Sequence, residues 1–248
     1  MIELSLVGIG TGNPEHLTRA AIRALNDADL ILLPRKGSQK AELLELRRLV
    51  CADILTRPVT LAEFDLPVRS ASGEYLGGVR DWHAAIAQAW AAQITAHLPQ
   101  GGRVALMVWG DPSLYDSSLR IAARLGAGGM ALRVSVVPGI TSLSALTAAH
   151  GVALNTLGAP VMITTGRQLR DGGWPAGVDS VAVMLDAGSA FEVLDAQGVH
   201  IWWGAYLSMP QQVLVAGPLA DVGARITALR ADLRAEHGWI MDIYLLRR

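Results

Sequence analysis

The sequence begins with an apolar run that passes through a glycine-rich turn into a helical segment. Ile2, Leu4, Leu6 and Val7 favour a buried strand, and residues 18–25 have the apolar spacing of a helix. Three glycines at alternate positions, Gly8, Gly10 and Gly12, lead from one to the other. Because glycine has no Cβ and permits positive φ, a ligand such as a nucleotide can approach this backbone. The order of strand, glycine turn and helix is typical of α/β folds.

The turn departs from the dinucleotide-binding fingerprint in two places. That fingerprint requires a glycine or alanine three residues after its second glycine, where this chain has Asn13. It also expects an acidic residue after the second strand, where this chain has Pro34-Arg35-Lys36. Taken alone, the turn is equally compatible with a plain tight turn and with a ligand site.

Composition narrows the class of protein. The 248 residues are 51% hydrophobic with a formal net charge of −1, which gives no electrostatic attraction to nucleic acid. Cys51 is the only cysteine, so we expect no internal disulfide and a reducing cytoplasm. No apolar run reaches about 18 residues and no basic leader precedes one, so we expect neither export nor a membrane span. The histidines lack metal-ligand spacing, and we expect no protein metal.

Strand-like and helix-like runs alternate along the chain, which favours sheets covered by helices. The first half has predicted strands at 4–8, 29–33, 103–108 and 132–137, and predicted helices near 17–26, 40–50, 79–97 and 115–125. The second half has predicted strands at 161–165, 180–185, 199–203, 212–216 and 239–246, and a long helix at 219–236. Residues 56–78 and 171–175, rich in glycine and proline, are predicted loops.

These patterns predict two α/β domains. The first, residues 1–152, is a parallel α/β domain with glycine-rich loops, and the second, residues 153–248, is a mixed-sheet α/β domain. A chain of this length can bury a core in each of them. We expect the ligand cleft to lie between the two domains.

Two further glycine-bearing loops follow later strands of the first domain. Trp109-Gly110-Asp111-Pro112 follows the strand that ends at Val108, and Pro138-Gly139-Ile140-Thr141-Ser142 follows the strand that ends at Val137. The carboxyl ends of parallel strands meet at one edge of a sheet, where open α/β sheets bind ligands. Together with the first turn, these loops predict a ligand site at that edge.

The order and spacing of the three motifs resemble those of the tetrapyrrole methylase family, and Gly217-Pro218-Leu219-Ala220 is similar to a late element of that family. The resemblance covers essentially the whole chain. It implies methylation of a large cyclic tetrapyrrole with S-adenosylmethionine as cosubstrate and S-adenosylhomocysteine as product. Leu46-Arg47-Arg48 and Ile201-Trp202-Trp203-Gly204 look like the branch that acts in aerobic cobalamin biosynthesis. That branch methylates C-1 of precorrin-5 and releases the C-20 acetyl group as acetate, giving precorrin-6A.

The resemblance also implies the residues that contact the cosubstrate. They are Thr11, Gly110, Asp111, Leu114, Thr141, Ser142, Met184, Leu185, Ala205, Gly217 and Pro218. Thr11 stands where the family often has proline, which favours contact through its backbone. Methyl transfer needs alignment of the reactants in a water-poor site, whereas deacetylation needs water to add to a ketone, which a base assists. Asp111 and Tyr115 are the catalytic candidates; the alternative is that Asp111 only binds the cosubstrate or starts the turn and Tyr115 only packs.

The implied precorrin substrate carries several carboxylates, so cationic side chains near predicted loops are candidates to bind it. These are Arg35, Arg69, Arg80 and Arg167, each of which is otherwise a solvated surface charge. Residues 56–78 are a candidate cover for the substrate or an ordinary loop. Members of the family are commonly homodimers, and the apolar second half would allow one.

Two other functions remain open at the level of sequence. A tetrapyrrole methylase of the uroporphyrinogen-III or precorrin-4 type would methylate without releasing acetate. A nicotinamide-dependent oxidoreductase or a non-catalytic nucleotide-binding module would need an acidic ribose ligand after the second strand, and Pro34-Arg35-Lys36 argues against both.

Overall fold

A computed structural model of the chain describes residues 1–35, 41–67 and 75–248. They form two compact units, Met1–Ile140 and Thr141–Arg248. Each unit combines a sheet with helices, as predicted. The division falls earlier than the predicted boundary after residue 152, because the helix over Ser142–His150 packs against strands of the second sheet.

The first unit contains a five-stranded sheet of order β3-β2-β4-β1-β5, in which every neighbouring pair is parallel. Its strands are β1 (Ile2–Gly8), β2 (Leu30–Arg35), β3 (Thr60–Asp65), β4 (Gly102–Val108) and β5 (Leu132–Val137). Its helices are α1 (Arg19–Asp27), α2 (Ala41–Ile54), α3 (Tyr75–His97) and α4 (Ser118–Ala127). The alternation of β1 sends Leu4 and Leu6 into the core that contains α3 and α4, and Val7 into the core that contains α1 and α2.

The predicted loop over residues 56–78 was wrong in its middle and at its end, where α3 begins at Tyr75. Thr60–Asp65 form β3, because Ala62 and Phe64 alternate into the core and the strand pairs with β2. The segment 68–74 of that prediction lies outside the described residues.

The second unit contains a five-stranded sheet of order β6-β7-β10-β8-β9. Its strands are β6 (Val161–Thr165), β7 (Ser180–Met184), β8 (His200–Ala205), β9 (Val213–Pro218) and β10 (Asp242–Arg247). Only β6 and β7 pair in parallel among these strands, so the sheet is mixed, as predicted. Its helices are α5 (Ser142–His150), α6 (Gly166–Gly172) and α7 (Leu219–His237).

Helix α6 occupies part of the predicted loop over residues 171–175. The side chain of Thr165 accepts a hydrogen bond of 3.3 Å from the N–H of Gln168, and Leu169 is buried. The N-cap hydrogen bond of Thr165 and the burial of Leu169 together stabilise a short helix in a segment whose glycines predict a loop. Within the parts of the chain given above, no helix is both long and apolar enough to cross a membrane.

Candidate functional site

The three glycine loops of the first unit lie side by side at the carboxyl edge of its sheet. They follow β4, β1 and β5, which are neighbours and run in the same direction. The N–H of Gly110 donates to the carbonyl of Gly10 over 2.7 Å, and the N–H of Gly10 donates to the carbonyl of Gly110 over 3.3 Å. This bridge joins the loop after β1 to the loop after β4.

The third loop approaches the other two so closely that side chains are excluded. A Cβ placed on Gly139 would lie 2.1 Å from the carbonyl oxygen of Gly110, and one placed on Gly8 would lie 2.6 Å from the nitrogen of Gly139. Gly110 itself has a φ of +63°, and a Cβ there would meet nothing within 4 Å. The loops therefore pack against one another and leave open space in front of Gly110, which suits a ligand that approaches the backbone.

Asp111 ties the loop after β4 to the loop after β5. Its Oδ2 accepts a hydrogen bond of 2.9 Å from the N–H of Gly139, and its Oδ1 accepts from both the N–H (2.8 Å) and the hydroxyl of Ser113. Burial alone would raise the pKa of Asp111, but these hydrogen bonds outweigh burial and hold the pKa below its ordinary value. Asp111 is thus an ionised acceptor at neutral pH, and a lowered pKa makes it a weak base.

Tyr115 lies in the same loop and has a strained backbone. Its φ is +49°, in the left-handed region that costs a bulky residue on the order of 1–3 kcal/mol. Its side chain is 43% exposed, and the preceding Leu114 is half-buried. The structure therefore places Gly110, Asp111, Leu114 and Tyr115, all predicted from the sequence, in one loop at the ligand edge.

Thr11 is buried within the loop after β1. Its hydroxyl lies 3.0 Å from Nδ1 of His16, and burial lowers the pKa of His16. A Cβ on Gly10 would lie 2.5 Å from the Cβ of His16, so the glycine makes room for this ring. The hydroxyl of Thr11 is therefore engaged inside the loop, and the backbone contact with a ligand stays a prediction.

In the second unit, the ends of β7 and β8 share one edge of the sheet. Both strands are antiparallel to β10 and so run in the same direction. Met184 ends β7, Leu185 follows it with a φ of +52° and 66% exposure, and Ala205 ends β8. The N–H of Tyr206 donates to the carbonyl of Met241 over 2.9 Å, just before β10 begins. Met241 thus belongs to this edge, although the sequence motifs did not predict it.

Gly217 and Pro218 lie at the opposite edge of that sheet. Pro218 pairs with His200, at the start of β8, whereas Ala205, at its end, pairs with Val213. Five residue steps along the extended strand separate the two positions by about 17 Å. The structure therefore does not bring Gly217 and Pro218 together with Met184, Leu185 and Ala205, because β9 runs back along β8.

Thr141 and Ser142 begin α5. The hydroxyl of Thr141 accepts from the N–H of Ser144 over 3.3 Å and caps the helix, and Ser142 is half-buried. A hydroxyl that caps its own helix is less available to a ligand than the remaining free N–H groups of the first turn. Binding at this helix start stays a prediction.

A buried hydrogen-bond network fixes the turn after β7. The carboxylate of Asp186 accepts from the hydroxyl of Tyr244 (2.7 Å) and from the N–H groups of Ala190 (2.6 Å) and Gly188 (3.0 Å). Arg170 also contacts Oδ1 of Asp186 over 3.3 Å. Burial and the charge of Asp186 both raise the pKa of Tyr244, so its hydroxyl stays protonated as a donor.

Arg230 of α7 completes this network. Its Nε donates to Oδ2 of Asp242 over 2.6 Å, its Nη1 donates to the hydroxyl of Ser189 over 2.9 Å, and its Nη2 donates to the backbone carbonyl of Asp186. Burial alone would lower the pKa of Arg230, but its bond to Asp242 outweighs burial and raises it. Because Ser189 and Leu185 both have positive φ, the network holds a strained turn at the predicted ligand edge.

The described arginines among those proposed to bind carboxylates belong to three different elements. Arg35 ends β2 and forms an exposed ion pair of 3.0 Å with Asp65, Arg80 is exposed on α3, and Arg167 lies in α6 of the second unit. Arg69 lies outside the described residues. Among residues 1–35, 41–67 and 75–248, no three His, Cys, Asp or Glu side chains converge as metal ligands.

Known proteins have sequences similar to all or part of this chain. The family model described as Tetrapyrrole (Corrin/Porphyrin) Methylases matches residues 3–223. Precorrin-6A synthase (deacetylating) from Sinorhizobium sp is 47% identical over 251 residues, covering 100% of this chain and 96% of that protein. Precorrin-2 C(20)-methyltransferase from Sinorhizobium sp is 33% identical over 155 residues, covering 60% of this chain and 59% of that protein.

Solved structures agree on the fold. A cobalamin synthesis related protein (CobF) from Corynebacterium diphtheriae matches with a TM-score of 0.83 and 38% identity, covering 100% of this chain and 99% of that chain. Uroporphyrin-III C-methyl transferase from Thermus thermophilus, solved in complex with S-adenosylhomocysteine, matches with a TM-score of 0.61 and 22% identity. That second match covers 99% of this chain and 92% of the other, and it supports the fold alone.

Proposed function

Because this chain belongs to the tetrapyrrole (corrin/porphyrin) methylases, we propose that it is a deacetylating precorrin-6A synthase of cobalamin biosynthesis. The enzyme methylates C-1 of precorrin-5 and adds water to the acetyl group at C-20, so that acetate leaves. The observation that carries this proposal is the full-length similarity to a relative of that name. The edge built from three glycine loops supports it independently, because it leaves open space beside the backbone of Gly110.

When bound, S-adenosylmethionine supplies the methyl group and carries a positive sulfonium charge. The chain contributes mainly alignment, since methyl transfer to an electron-rich ring carbon needs no covalent nucleophile. The ionised carboxylate of Asp111 places a negative charge at the edge where the cosubstrate is proposed to bind. Its hydrogen bonds to Gly139 and Ser113 keep the loops in register.

We propose cosubstrate contacts in each unit separately. In the first unit they are the backbone of Thr11 together with Gly110, Asp111 and Leu114. In the second unit they are Thr141, Ser142, Met184, Leu185, Ala205 and Met241. Gly217 and Pro218 are left out, because they lie at the other edge of their sheet.

Deacetylation is the step that needs proton transfer. Water adds to the acetyl carbonyl carbon, the bond from that carbon to the ring breaks, and the conjugated ring takes up the electron pair. Asp111 is a weak base with both oxygens engaged, so we assign it to loop geometry and cosubstrate binding. Tyr115, 43% exposed on the same loop, is the candidate to hold the water or the acetyl oxygen through its hydroxyl.

The test measures two products of one reaction. The purified protein is incubated with S-adenosylmethionine and precorrin-5, and acetate and S-adenosylhomocysteine are quantified together. Equal amounts of both support the proposal. Formation of S-adenosylhomocysteine without acetate would identify a methylase of a different tetrapyrrole position. Calorimetry with S-adenosylhomocysteine and NADH in parallel excludes the oxidoreductase if only the former binds.

A Tyr115→Phe variant tests the deacetylation step. It removes the hydroxyl and keeps the ring and the backbone conformation. We expect slower acetate release, with the dissociation constant for S-adenosylhomocysteine within about two-fold of wild type. Unchanged rates for both products would remove Tyr115 from the chemistry and leave it a packing role.

A further inference from the structure

Arg47 of α2 is a buried cation without an acidic partner in the described part of the chain. Only 7% of its surface is exposed. Its Nη1 donates to the carbonyl of Leu43 over 3.1 Å, and its Nε has no hydrogen-bond partner among residues 1–35, 41–67 and 75–248. The next residue, Arg48, behaves as a surface arginine should: it is exposed and pairs with Glu63 and Glu45. The contrast shows that the isolation of Arg47 is particular to its position.

Trp109 lies against the guanidinium of Arg47, and its buried indole N–H has no acceptor among the described residues. The Cζ of Arg47 is 5.2 Å from the centre of the Trp109 ring. The indole Nε1 of Trp109 is buried and has no partner among the described residues. Both groups are donors only, so neither can satisfy the other. The pair therefore lacks an acceptor rather than another donor.

A charge buried in this way opposes folding. Burial lowers the pKa of Arg47 to about 10, so the side chain remains charged at neutral pH. Its contact with the indole face offsets only part of the lost hydration. Buried charges in proteins are normally paired, and a perturbed, unpaired one near a ligand edge is a feature of binding sites.

The position of Arg47 places its guanidinium at the edge that carries the glycine loops. Helix α2 follows the carboxyl end of β2, so its first turn lies at that edge, and the bond to Leu43 shows that the guanidinium reaches back to this turn. Trp109 is the first residue after β4 and immediately precedes Gly110. The positive end of the α2 dipole adds to the charge of Arg47, so the local potential favours an anion.

We infer that Arg47 and Trp109 form a carboxylate subsite at the ligand edge of the first unit. Nη1 of Arg47 is engaged and Nε has no partner among the described residues, so the Nε side of the guanidinium is the side that would meet the two oxygens of a carboxylate. The Nε1 of Trp109 supplies a further donor. The inference rests on the proposed function, whose reactants offer two sources of this chemistry. One is an acetate or propionate group of the tetrapyrrole, and the other is the amino-acid end of the cosubstrate.

The experiment compares Arg47→Gln and Arg47→Lys with the matched control Arg48→Gln. Dissociation constants for S-adenosylhomocysteine are measured by calorimetry, and KM and kcat for precorrin-5 are measured by acetate release. We expect both Arg47 variants to raise one of the two affinity parameters by about ten-fold or more, because lysine cannot reproduce the fork. The control leaves both within about two-fold. A raised KM identifies a tetrapyrrole carboxylate, and a raised dissociation constant identifies the cosubstrate.

A second readout separates a binding role from a structural one. Arg47→Met removes an unpaired buried charge, so we expect a Tm equal to or above that of wild type together with the weakened affinity. A lower Tm with unchanged KM and dissociation constant would mean that Arg47 only supports the fold, and it would overturn the inference. Trp109→Phe, which keeps the ring and removes the donor, should weaken the same parameter to a smaller extent.

Failure of the proposed function gives a different result. In that case wild-type protein would release no acetate from precorrin-5, whatever residue stands at position 47. The subsite is then tested by fluorescence titration with uroporphyrin, a stable tetrapyrrole that carries acetate and propionate groups. Weaker binding of uroporphyrin or S-adenosylhomocysteine by Arg47→Gln than by Arg48→Gln supports the subsite, and equal binding of both ligands by these two variants overturns it.

Discussion

Asp111 accepts a hydrogen bond of 2.9 Å from the backbone N–H of Gly139, a residue that follows a different strand. Replacing Asp111 with alanine leaves this N–H and that of Ser113 without their acceptor. We expect the free energy of unfolding to fall by about 1–3 kcal/mol and S-adenosylhomocysteine to bind more weakly. Urea unfolding and calorimetry measure the two effects. Wild-type values for both would remove Asp111 from the proposed site.

The same carboxylate predicts a dependence on pH. Its pKa lies below the ordinary value of 3.8, so the stabilisation is complete above that pH and is lost as the pH falls through the lower, folded-state pKa. The stability difference between wild type and Asp111→Ala should therefore be constant near neutral pH and shrink at pH values below 3.8. Urea unfolding at a series of pH values checks this. A difference that stays constant down to the acid limit would show that the charge of Asp111 is unimportant.

A substitution at Gly139 tests how closely the loop after β5 approaches the loop after β4. A Cβ at this position would lie 2.1 Å from the carbonyl oxygen of Gly110, so Gly139→Ala must push two loops apart. We expect it to destabilise the protein by about 1–3 kcal/mol and to weaken S-adenosylhomocysteine binding. The matched control is Gly126→Ala in α4, where a Cβ meets nothing within 4 Å and alanine favours the helix by about 1 kcal/mol. If the two substitutions had equal effects, the loops would not be in contact.

Two buried tyrosine hydroxyls donate to different acceptors, and we expect the loss of the Tyr244 hydroxyl to lower the free energy of unfolding more than the loss of the Tyr206 hydroxyl. Tyr244→Phe removes a hydrogen bond to the Asp186 carboxylate and should cost about 1.5–3 kcal/mol. Tyr206→Phe removes a bond of 2.6 Å to the carbonyl of Trp239 and should cost about 0.5–1.5 kcal/mol. Thermal and urea unfolding compare the two variants. The reverse order would argue against a strong hydrogen bond between Tyr244 and Asp186.

His16 predicts a second effect of pH, on the loop after β1. Burial holds its pKa below 6.5, so the folded state binds fewer protons than the unfolded state. The loop is therefore fully stable above about pH 6.5 and weakens as the pH falls through the folded-state pKa of His16. NMR titration should show the amide of Thr11, whose hydroxyl contacts the ring, shifting with a midpoint below 6.5, and the shift should disappear in His16→Gln. A midpoint at or above 6.5 would contradict the partial burial of the His16 ring.

The sequence predicted those strands and helices whose local residue pattern agrees with their burial in the folded chain. The glycine motifs predicted both the ligand edge and the family, and the matching family model confirms the family. Strand β3 was missed because only Ala62 and Phe64 mark it as buried, in a segment flanked by prolines. The family resemblance implied that Gly217 and Ala205 contact one cosubstrate, but the order of motifs along the chain could not show that β9 runs back along β8 and so separates these two residues along the strands.

Two arginines illustrate a different limit. Arg230 lies on the same buried face of α7 as Ile226 and Leu233, and Arg47 is buried in α2. Hydrophobic periodicity treats a charged residue as a surface position, so neither could be identified from spacing. Arg230 is paired with Asp242, whereas Arg47 has no acidic partner among the described residues. Only the folded chain shows this difference.

The contact between Gly8, Gly110 and Gly139 has a consequence for binding affinity. With no side chain between these glycines, the three loops are held in place by backbone contacts and by the hydrogen bond from Gly139 to the carboxylate of Asp111. A ligand that binds beside Gly110 therefore meets a preorganised surface, and little of its binding free energy is spent on ordering these loops. Their conformational entropy is lost when the chain folds, before any ligand arrives.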